Sequence, residues 1–265
     1  MEVPNGKNNK VLVCAYEMMG TAMLQLGINW AGNVGSLKPV GISMTLFAAI
    51  MLFGHVSGAH FNPAVTMGVL IKEYKMENIL FALMIMASQI GGAFLGELMM
   101  FIGLNQKTTN NMNILCPAAG GYTCESGNFK QSSQVFLVEM FATCGLVTTI
   151  ITLKYHSTIR EGVLAALTVG LTLLAMICWS GGISGGCLNP AIGIANSIVQ
   201  FALKDEPNFV GSKLYANLTL SSLPIYIFAP LMGGVIAGVF QLFNGKVAKI
   251  FKEEEPQAKM ADIML

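Results

Sequence analysis

The chain has 265 residues, of which 54% are hydrophobic and only 11% are charged, and its formal net charge is +1. Soluble domains carry about 25% charged residues, so this composition excludes a soluble globular fold and indicates an integral membrane protein. The basic residues are dispersed along the chain, which argues against a nucleic-acid partner.

Apolar segments long enough to cross about 30 Å of hydrocarbon recur along the whole chain. The pattern predicts six membrane spans, at about residues 11–32, 38–56, 78–104, 134–153, 162–180 and 217–243. Two shorter apolar segments, at about 62–71 and 189–201, follow the second and fifth spans and are too short to cross a bilayer. The predicted fold class is therefore an all-α membrane protein.

The two halves of the chain repeat one another. Glu17-Met-Met-Gly-Thr in the first span is echoed by Glu139-Met-Phe-Ala-Thr in the fourth, and a Ser-Gly segment that ends in Asn-Pro-Ala follows later in each half. A repeat of three spans must be inverted, because the odd number reverses the direction in which the second copy enters the membrane. The predicted units are a first repeat over 11–104 and a second, inverted repeat over 134–243, with a shared site near the midplane.

The distribution of basic residues predicts the orientation of the chain. A cytoplasmic N-terminus places ten of the 15 Lys and Arg residues on the cytoplasmic side, in agreement with the positive-inside tendency. Residues 1–10 and 244–265 are then cytoplasmic tails, and residues 105–133 form an extracytoplasmic loop. Cys116 and Cys124 lie in that loop with turn-forming Pro and Gly between them, so a disulfide and two free thiols both stay open.

Each short apolar segment begins with an Asn-Pro-Ala triplet, at Asn62-Pro63-Ala64 and at Asn189-Pro190-Ala191. Asn is a strong helix N-cap and Pro suits the first helical position, so each triplet predicts a helix start. A helix of about 10 residues rises about 15 Å, so two such half-helices that enter from opposite faces meet at the bilayer centre. Their N-termini and the two Asn amides would form a donor site that repels cations and protons.

The loops at 57–65 and 184–191 resemble the signature loops of the major intrinsic protein family, the aquaporins and glycerol facilitators. Other parts of the chain that fit this family are Glu17, Glu139, 87–93 and 229–234. The resemblance implies a right-handed bundle of six transmembrane helices and two re-entrant half-helices, with one pore in each subunit of a homotetramer. It further implies a channel embedded in a lipid bilayer, with no catalytic residue, metal or cofactor.

The resemblance also assigns backbone carbonyl groups of the two loops to the pore wall. These carbonyl groups belong to Gly58, Ala59, His60, Gly185, Gly186 and Cys187. A row of backbone acceptors would pass hydrogen-bonding solutes in single file.

The outer end of the predicted pore departs from the family pattern. Most members place an Arg directly after the second triplet, whereas this chain has Ile192 there. The predicted selectivity filter consists of Ile42, Ile177, Gly186 and Ile192. Such a ring is uncharged and apolar: a wide ring would admit glycerol, urea or ammonia, whereas a narrow one would dewet and block water.

Three glutamates fall inside predicted spans, where a charged group is costly and suggests an ion or proton pathway. The resemblance instead gives Glu17 and Glu139 a structural role, as buried acceptors for N–H groups of the re-entrant loops. Glu97 has no family counterpart and faces either a neighbouring helix or the outer interface. His55 and His60 lack a carboxylate or Cys that would complete a metal site, so His60 is either a pH gate or a structural histidine.

The predicted function is passive conduction of water or small uncharged solutes, of the glycerol, urea and ammonia class, by a multi-pass membrane protein. Two alternatives stay open. One is a conduction-dead family member that acts in membrane architecture or adhesion. The other is an ion-coupled transporter that uses the two repeat glutamates.

Overall fold

The structure is a computed structural model that describes residues 7–103, 129–156, 161–203, 205 and 220–261. Within that part of the chain it contains eight α-helices and no β-strand. The helices are α1 (Lys7–Trp30), α2 (Lys38–Ser57), α3 (Pro63–Glu73), α4 (Ile79–Gly103), α5 (Phe129–Tyr155), α6 (Gly162–Ser184), α7 (Pro190–Leu203) and α8 (Leu223–Ala261). Two 3-10 helices, Ala31–Leu37 and Met76–Asn78, precede α2 and α4.

Six of these helices are long and apolar enough to cross a membrane, which confirms the predicted all-α membrane fold class. The spans found in the described residues are Asn9–Trp30, Gly35–Ser57, Ile79–Gly103, Ser132–Tyr155, Gly162–Ser184 and Leu223–Gly245. Each of them overlaps most of the segment predicted from the sequence. The short helices α3 and α7 follow the second and fifth spans.

The ends of two spans differ from the predicted ones where Gly or Pro controls the backbone. α6 continues to Ser184 and ends where Gly185 adopts a left-handed φ of 86°, a conformation that glycine takes without steric cost. α8 starts at Leu223 because Pro224 fits the first turn of a helix. The last span ends at Gly245, and the helix continues beyond it to Ala261.

The two repeats cross their helices in the same way. α1 packs on α4, and α5 packs on α8. A Cβ atom at Gly92 would lie 2.2 Å from the carbonyl oxygen of Met18, and one at Gly233 would lie 2.4 Å from that of Met140. Only glycine fits at either crossing, so both bring helix backbones into contact. Met18 therefore corresponds to Met140, and Gly92 corresponds to Gly233.

The half-helices α3 and α7 start together and run to opposite ends of the bundle. We call the end at which α1 begins the inner end and the opposite one the outer end. α3 packs on α8 and runs to the inner end, where Lys72 Nζ donates to the carbonyl oxygen of Gln241 at 2.8 Å. α7 packs on α4 and α8 and runs towards the outer end.

The polarity of the bundle is that of a membrane protein. Large apolar side chains such as Leu80, Ile102 and Phe243 are exposed on its surface, whereas the polar side chains of Gln89 and Gln241 are buried. This distribution suits a bilayer, in which apolar surface contacts lipid and polar side chains bond to one another inside the protein.

Candidate pore and its constriction

Asn62 and Asn189 meet where the two half-helices start, and a reciprocal pair of hydrogen bonds links them to the opposite loops. Asn62 Nδ2 donates to the carbonyl oxygen of Leu188, and Asn189 Nδ2 donates to that of Phe61, both at 2.8 Å. The Oδ1 atom of each Asn accepts the backbone N–H two residues later, at 2.8 and 3.0 Å. The two N-caps thus hold the starts of α3 and α7 together.

Each Asn amide has one N–H left after its bond to the opposite loop. An amide nitrogen carries two protons, and the bond to the opposite loop uses one of them. Because α3 and α7 both begin here, their N-termini add partial positive charge to the same point. The arrangement therefore offers two hydrogen-bond donors without an ionised group.

The loops that precede the triplets require a left-handed backbone at several residues. The φ angle is 51° at Ala59 and 47° at Phe61 in the first loop, and it is 51° at Leu188 in the second. A residue with a Cβ atom pays roughly 1 kcal/mol or more for this conformation, so surrounding contacts must hold it. At Phe61 and Leu188 the turn directs the carbonyl oxygen to the Asn of the other repeat.

Two buried carboxylates supply those contacts. Glu17 accepts the N–H groups of the two residues before Asn62, at 2.9 and 2.7 Å. Glu139 accepts those of the two residues before Asn189, at 2.9 and 2.7 Å. These N–H groups lie outside any helix and would be unsatisfied without the carboxylates, which is costly at membrane depth.

Each loop has one further anchor, and the two anchors differ. Glu17 takes a third hydrogen bond, from Gln89 Nε2 of α4 at 2.8 Å. The equivalent position in α8 is Pro230, which has no side-chain donor. The second loop is held instead by Tyr226 of α8, whose hydroxyl donates to the carbonyl oxygen of Ser184 at 2.7 Å.

The remaining N–H groups of both loops also bond to the protein. Those of Gly58 and Gly185 donate to carbonyl oxygens in the last turn of the preceding helix, at 3.0 and 3.1 Å. Those of Ala59 and Gly186 donate to serine hydroxyls, at 3.0 and 3.2 Å. The backbone groups that the loops have left to offer a solute are therefore carbonyl oxygens.

A cavity of about 490 Å³ extends from the inner end to Asn62. Its walls are mainly apolar side chains of α2, α5 and α6, such as Leu46, Leu146 and Val169. His60 of the first loop and Lys154 near the end of α5 also line it. We call this cavity the inner vestibule.

His60 presents one ring nitrogen to the inner vestibule. Its Nδ1 atom lies 3.2 Å from Thr66 Oγ1. Its Nε2 atom is buried and has no hydrogen-bond partner among the described residues. The side chain is only 3% exposed and lines the cavity, so Nε2 lies at the edge of the cavity without a partner among the described residues.

Three of the four predicted filter residues are buried apolar side chains in the outer half. Ile42, Ile177 and Ile192 are 6%, 8% and 2% exposed and belong to one cluster of buried apolar side chains. The walls of the inner vestibule include none of the three. Gly186, the fourth predicted filter residue, is partly exposed with a φ of 67°. The selectivity filter formed by these residues stays a prediction.

The sequence matches the family described as Major intrinsic protein over residues 8–241. The chain belongs to the major intrinsic protein family. The resemblance inferred from the signature loops is thereby confirmed. Since members of the major intrinsic protein family are channels, the chain is a passive multi-pass membrane channel and not an enzyme.

Relatives within the major intrinsic protein family share about a quarter of their residues with this chain. Aquaporin AqpM of Methanothermobacter thermautotrophicus is 27% identical over 219 residues, which cover 81% of this chain and 79% of the relative. The aquaglyceroporin of Toxoplasma gondii is 26% identical over 75% of this chain and 65% of its own length. The glycerol uptake facilitator protein-like 5 of Lactiplantibacillus plantarum is 28% identical over 77% and 78%. Because these names refer to different solutes, the solute of this chain must be argued from its own pore.

The fold is similar to that of a solved member of the major intrinsic protein family. The X-ray structure of the aquaglyceroporin from Plasmodium falciparum matches with a TM-score of 0.67, over 87% of this chain and 95% of that one. The sequences are 20% identical, so the similarity concerns the fold. It confirms the aquaporin-like arrangement of six spans and two half-helices.

A buried polar cluster in the outer half was not predicted from the sequence. Glu97 of α4 accepts hydrogen bonds from Gln25 Nε2 at 2.6 Å and from Asn29 Nδ2 at 2.9 Å. Gln25 Nε2 also lies 3.3 Å from Asn196 Oδ1 of α7. We call Gln25, Asn29, Glu97 and Asn196 the outer polar cluster. Of the two positions considered for Glu97, the one against a neighbouring helix is observed.

A signal for this cluster exists in the sequence. Gln25 and Asn29 are four residues apart and so lie on one face of α1. Two amide side chains on one face of a membrane span, together with a carboxylate in another span, indicate a buried polar contact. Sequence reasoning missed it because Glu97 has no counterpart in the second repeat.

Several predicted features lie elsewhere. Cys116 and Cys124 fall outside the described residues, so their disulfide stays a prediction. Cys187 is a free, buried thiol whose Sγ lies 3.3 Å from the carbonyl oxygen of Asn189. His55 packs edge-on against Tyr16, with ring centroids 6.1 Å apart. In the described part of the chain, no group of three His, Cys, Asp or Glu side chains is placed to hold a metal ion.

Proposed function

We propose that this chain conducts small uncharged solutes along a path from the inner vestibule, past Asn62 and Asn189, to the isoleucine constriction. The reciprocal Asn pair carries the proposal, because it puts amide donors of both repeats between two half-helix N-termini. A solute that accepts hydrogen bonds is stabilised at this point. A cation is repelled there by the same donors and helix dipoles.

The apolar constriction sets the solute class. Ile42, Ile177 and Ile192 provide neither a hydrogen-bond donor nor an acceptor, and no Arg follows the second triplet. A solute that passes them loses hydrogen bonds to water that nothing replaces, and this cost grows with its number of polar groups. We therefore expect permeability to fall from ammonia through water to glycerol and urea.

Proteoliposome assays test this order. Light scattering after an osmotic step measures water, glycerol and urea, and an internal pH-sensitive dye measures ammonia. We expect ammonia permeability above that of protein-free liposomes, with glycerol close to the protein-free value. The Ile42→Trp variant fills the constriction and is the matched control, since it should reduce the ammonia signal. Permeability at the protein-free value for every solute would contradict the proposal.

A second candidate is a family member that does not conduct and acts in membrane architecture or adhesion. The observation that favours it is the close packing of the three isoleucines at the constriction. This candidate predicts protein-free values for the unmodified chain with all solutes, together with measurable flux after Ile192→Ala. Flux in the unmodified chain that Ile42→Trp removes would exclude it.

The orientation and assembly are part of the same proposal. The excess of basic residues in the predicted cytoplasmic segments supports N- and C-termini in the cytoplasm. Membership of the major intrinsic protein family supports a homotetramer with one pore per subunit. Native mass spectrometry tests the tetramer, and a predominant monomer in mild detergent and in nanodiscs would contradict it. Labelling of single cysteines at the two tails from each side of the membrane tests the orientation.

A further inference from the structure

The inner vestibule carries positive charge and lacks acidic residues. Among the described residues that line it, Lys154, His55 and His60 can carry a positive charge, and none is Asp or Glu. Lys154 Nζ lies over the ring of Tyr155, whose centroid is 5.5 Å away. Glu17, behind the first loop, is committed to N–H donors of that loop and of Gln89. Conduction of an uncharged solute does not require this lysine.

The Lys154 ammonium and the free nitrogen of His60 converge on one point. The position at which a side chain on Gly58 would begin lies 3.9 Å from Lys154 Nζ and 4.0 Å from His60 Nε2. The two nitrogens are therefore no more than about 8 Å apart. A carboxylate that contacts both nitrogens, at about 2.8 Å from each oxygen, requires them to be no more than about 8 Å apart, and this upper limit satisfies that requirement. Since residue 58 is glycine, the space between the two nitrogens is left open.

His60 can donate to such a carboxylate. Thr66 Oγ1 also lies 3.3 Å from the carbonyl oxygen of Asn62, to which it can donate. When Thr66 Oγ1 turns its one proton to Nδ1 instead, the ring proton lies on Nε2, the atom that has no partner among the described residues. Lys154 contributes an ammonium group, and a hydrogen bond to a charged group is stronger than one between neutral groups. The pair therefore suits an anion with two acceptor oxygens.

The rest of the inner vestibule suits an alkyl chain. Its volume of about 490 Å³ falls in the range of small-molecule sites, which are mostly apolar and contain a few polar groups. Leu46, Ile150 and Val169 belong to its apolar wall. A ligand that fits both parts has one carboxylate and a short hydrocarbon chain.

We propose that the inner vestibule is a binding site for short-chain monocarboxylates, held by Lys154 and His60, and that an occupant blocks the pore from the inner end. The block follows from position, because the cavity ends at Asn62 and a bound molecule stands in front of the donor pair. The site would make conduction responsive to organic acids at the inner side. It uses no group of the outer constriction.

Isothermal titration of the full chain in nanodiscs with butyrate tests binding directly. Lys154→Met removes the charge and keeps the length of the side chain, and we expect it to weaken butyrate binding about tenfold or more. Lys75→Met is the matched control. It makes the same charge change in the turn after α3 at the inner end, outside the vestibule walls. This variant should bind butyrate like the unmodified chain. His60→Asn, whose amide can still meet Thr66 but does not reach the position of Nε2, should weaken binding by a smaller factor. Thermal unfolding of each variant checks that it is folded.

Two further probes define the ligand class. Butyramide has the shape of butyrate without the charge, and inorganic phosphate has charge without an alkyl chain, so both should bind more weakly than butyrate. The proposal would be overturned if butyramide or phosphate bound as tightly as butyrate. It would also be overturned if Lys154→Met and Lys75→Met lost butyrate binding equally. Binding is read without any flux, so its outcome is independent of whether the channel conducts. In proteoliposomes that conduct, butyrate at the inner side should reduce flux, and unchanged flux at saturating butyrate would overturn the block.

Discussion

The inner and outer halves of the bundle are related by the inverted repeat, but they differ in where their polar side chains lie. In the inner half these side chains lie on the pore side of α3, and in the outer half they lie behind α7. Behind α3, a cluster of buried apolar side chains fills the inner half, composed of Val65, Val69, Val147, Ile151 and Ala237. The positions equivalent to Val69, Val147 and Ile151 are Asn196, Gln25 and Asn29 in the outer half. These three belong to the outer polar cluster around Glu97.

The faces towards the pore show the reverse. In the inner half, His60 and Lys154 line an open vestibule. In the outer half, Ile42, Ile177 and Ile192, which we propose as the constriction, are buried apolar side chains. The repeat thus fixes the helix crossings, the N-caps and the two buried carboxylates, whereas the side chains around them are free to differ. Selectivity can change at one end of such a pore while its centre keeps its geometry.

The largest expected effect comes from removing a buried carboxylate of the kind that both halves share. Glu17→Leu removes the acceptor for two backbone N–H groups and for Gln89, and each unsatisfied group costs several kcal/mol at membrane depth. We expect the free energy of unfolding to fall by more than about 5 kcal/mol. Thermal unfolding in detergent measures this loss. Glu17→Gln, which keeps one acceptor oxygen, should lose less, and an equal loss in both variants would contradict this role.

The second largest expected effect concerns the outer polar cluster, which only the outer half has. Glu97→Leu leaves Gln25 and Asn29 without their acceptor, at about 1–2 kcal/mol for each lost contact, or about 3 kcal/mol of stability in total. Replacing these three partners by apolar residues reduces that loss. Addition of Gln25→Val, Asn29→Ile and Asn196→Val, the residues found in the inner half, should therefore restore thermal stability. A combined variant less stable than Glu97→Leu alone would show that the cluster has another role.

The third effect concerns the constriction. Ile192→Ala removes a buried side chain and should reduce stability by about 2 kcal/mol, at the low end for such changes because the pore lies on one side. Chemical denaturation in mixed micelles measures it. Val65→Ala is the matched control, at the equivalent position in the inner half. Val65→Ala deletes a smaller side chain beside the inner vestibule, so we expect a smaller loss of stability. A greater loss of stability in Val65→Ala than in Ile192→Ala would be evidence against close packing at Ile192.

The smallest effect concerns the anchor of the second loop. Tyr226→Phe removes one hydroxyl, whose hydrogen bond to the carbonyl oxygen of Ser184 is 2.7 Å long. We expect a loss of about 1 kcal/mol, seen as a small decrease in the midpoint of thermal unfolding. Gln89→Leu is the comparison in the first loop and should lose more, because it frees both Glu17 and Thr66. A larger loss of stability in Tyr226→Phe than in Gln89→Leu would contradict this ranking of the two anchors.

Features that follow from local chemistry or from the repeat could be predicted from the sequence. The N-cap preference of Asn and the place of Pro at the first helical position locate α3 and α7, and the repeat pairs Glu17 with Glu139. The outer polar cluster could not be predicted in this way, because Glu97 stands alone and its partners are distant in sequence. Likewise, only folding brings Lys154 of α5 close to His60 of the first loop. The width of the ring depends on how Ile42, Ile177 and Ile192 pack, which residue type alone does not determine.

The central claim is that the isoleucine constriction, and not the inner half, limits which uncharged solutes pass. The most direct measurement is glycerol permeability of proteoliposomes that contain Ile192→Ala or Val65→Ala at equal protein density. We expect an increase of about tenfold for Ile192→Ala over the unmodified chain, equivalent to about 1.4 kcal/mol of barrier, and no increase for Val65→Ala. Equal glycerol permeability in Ile192→Ala and the unmodified chain would contradict it.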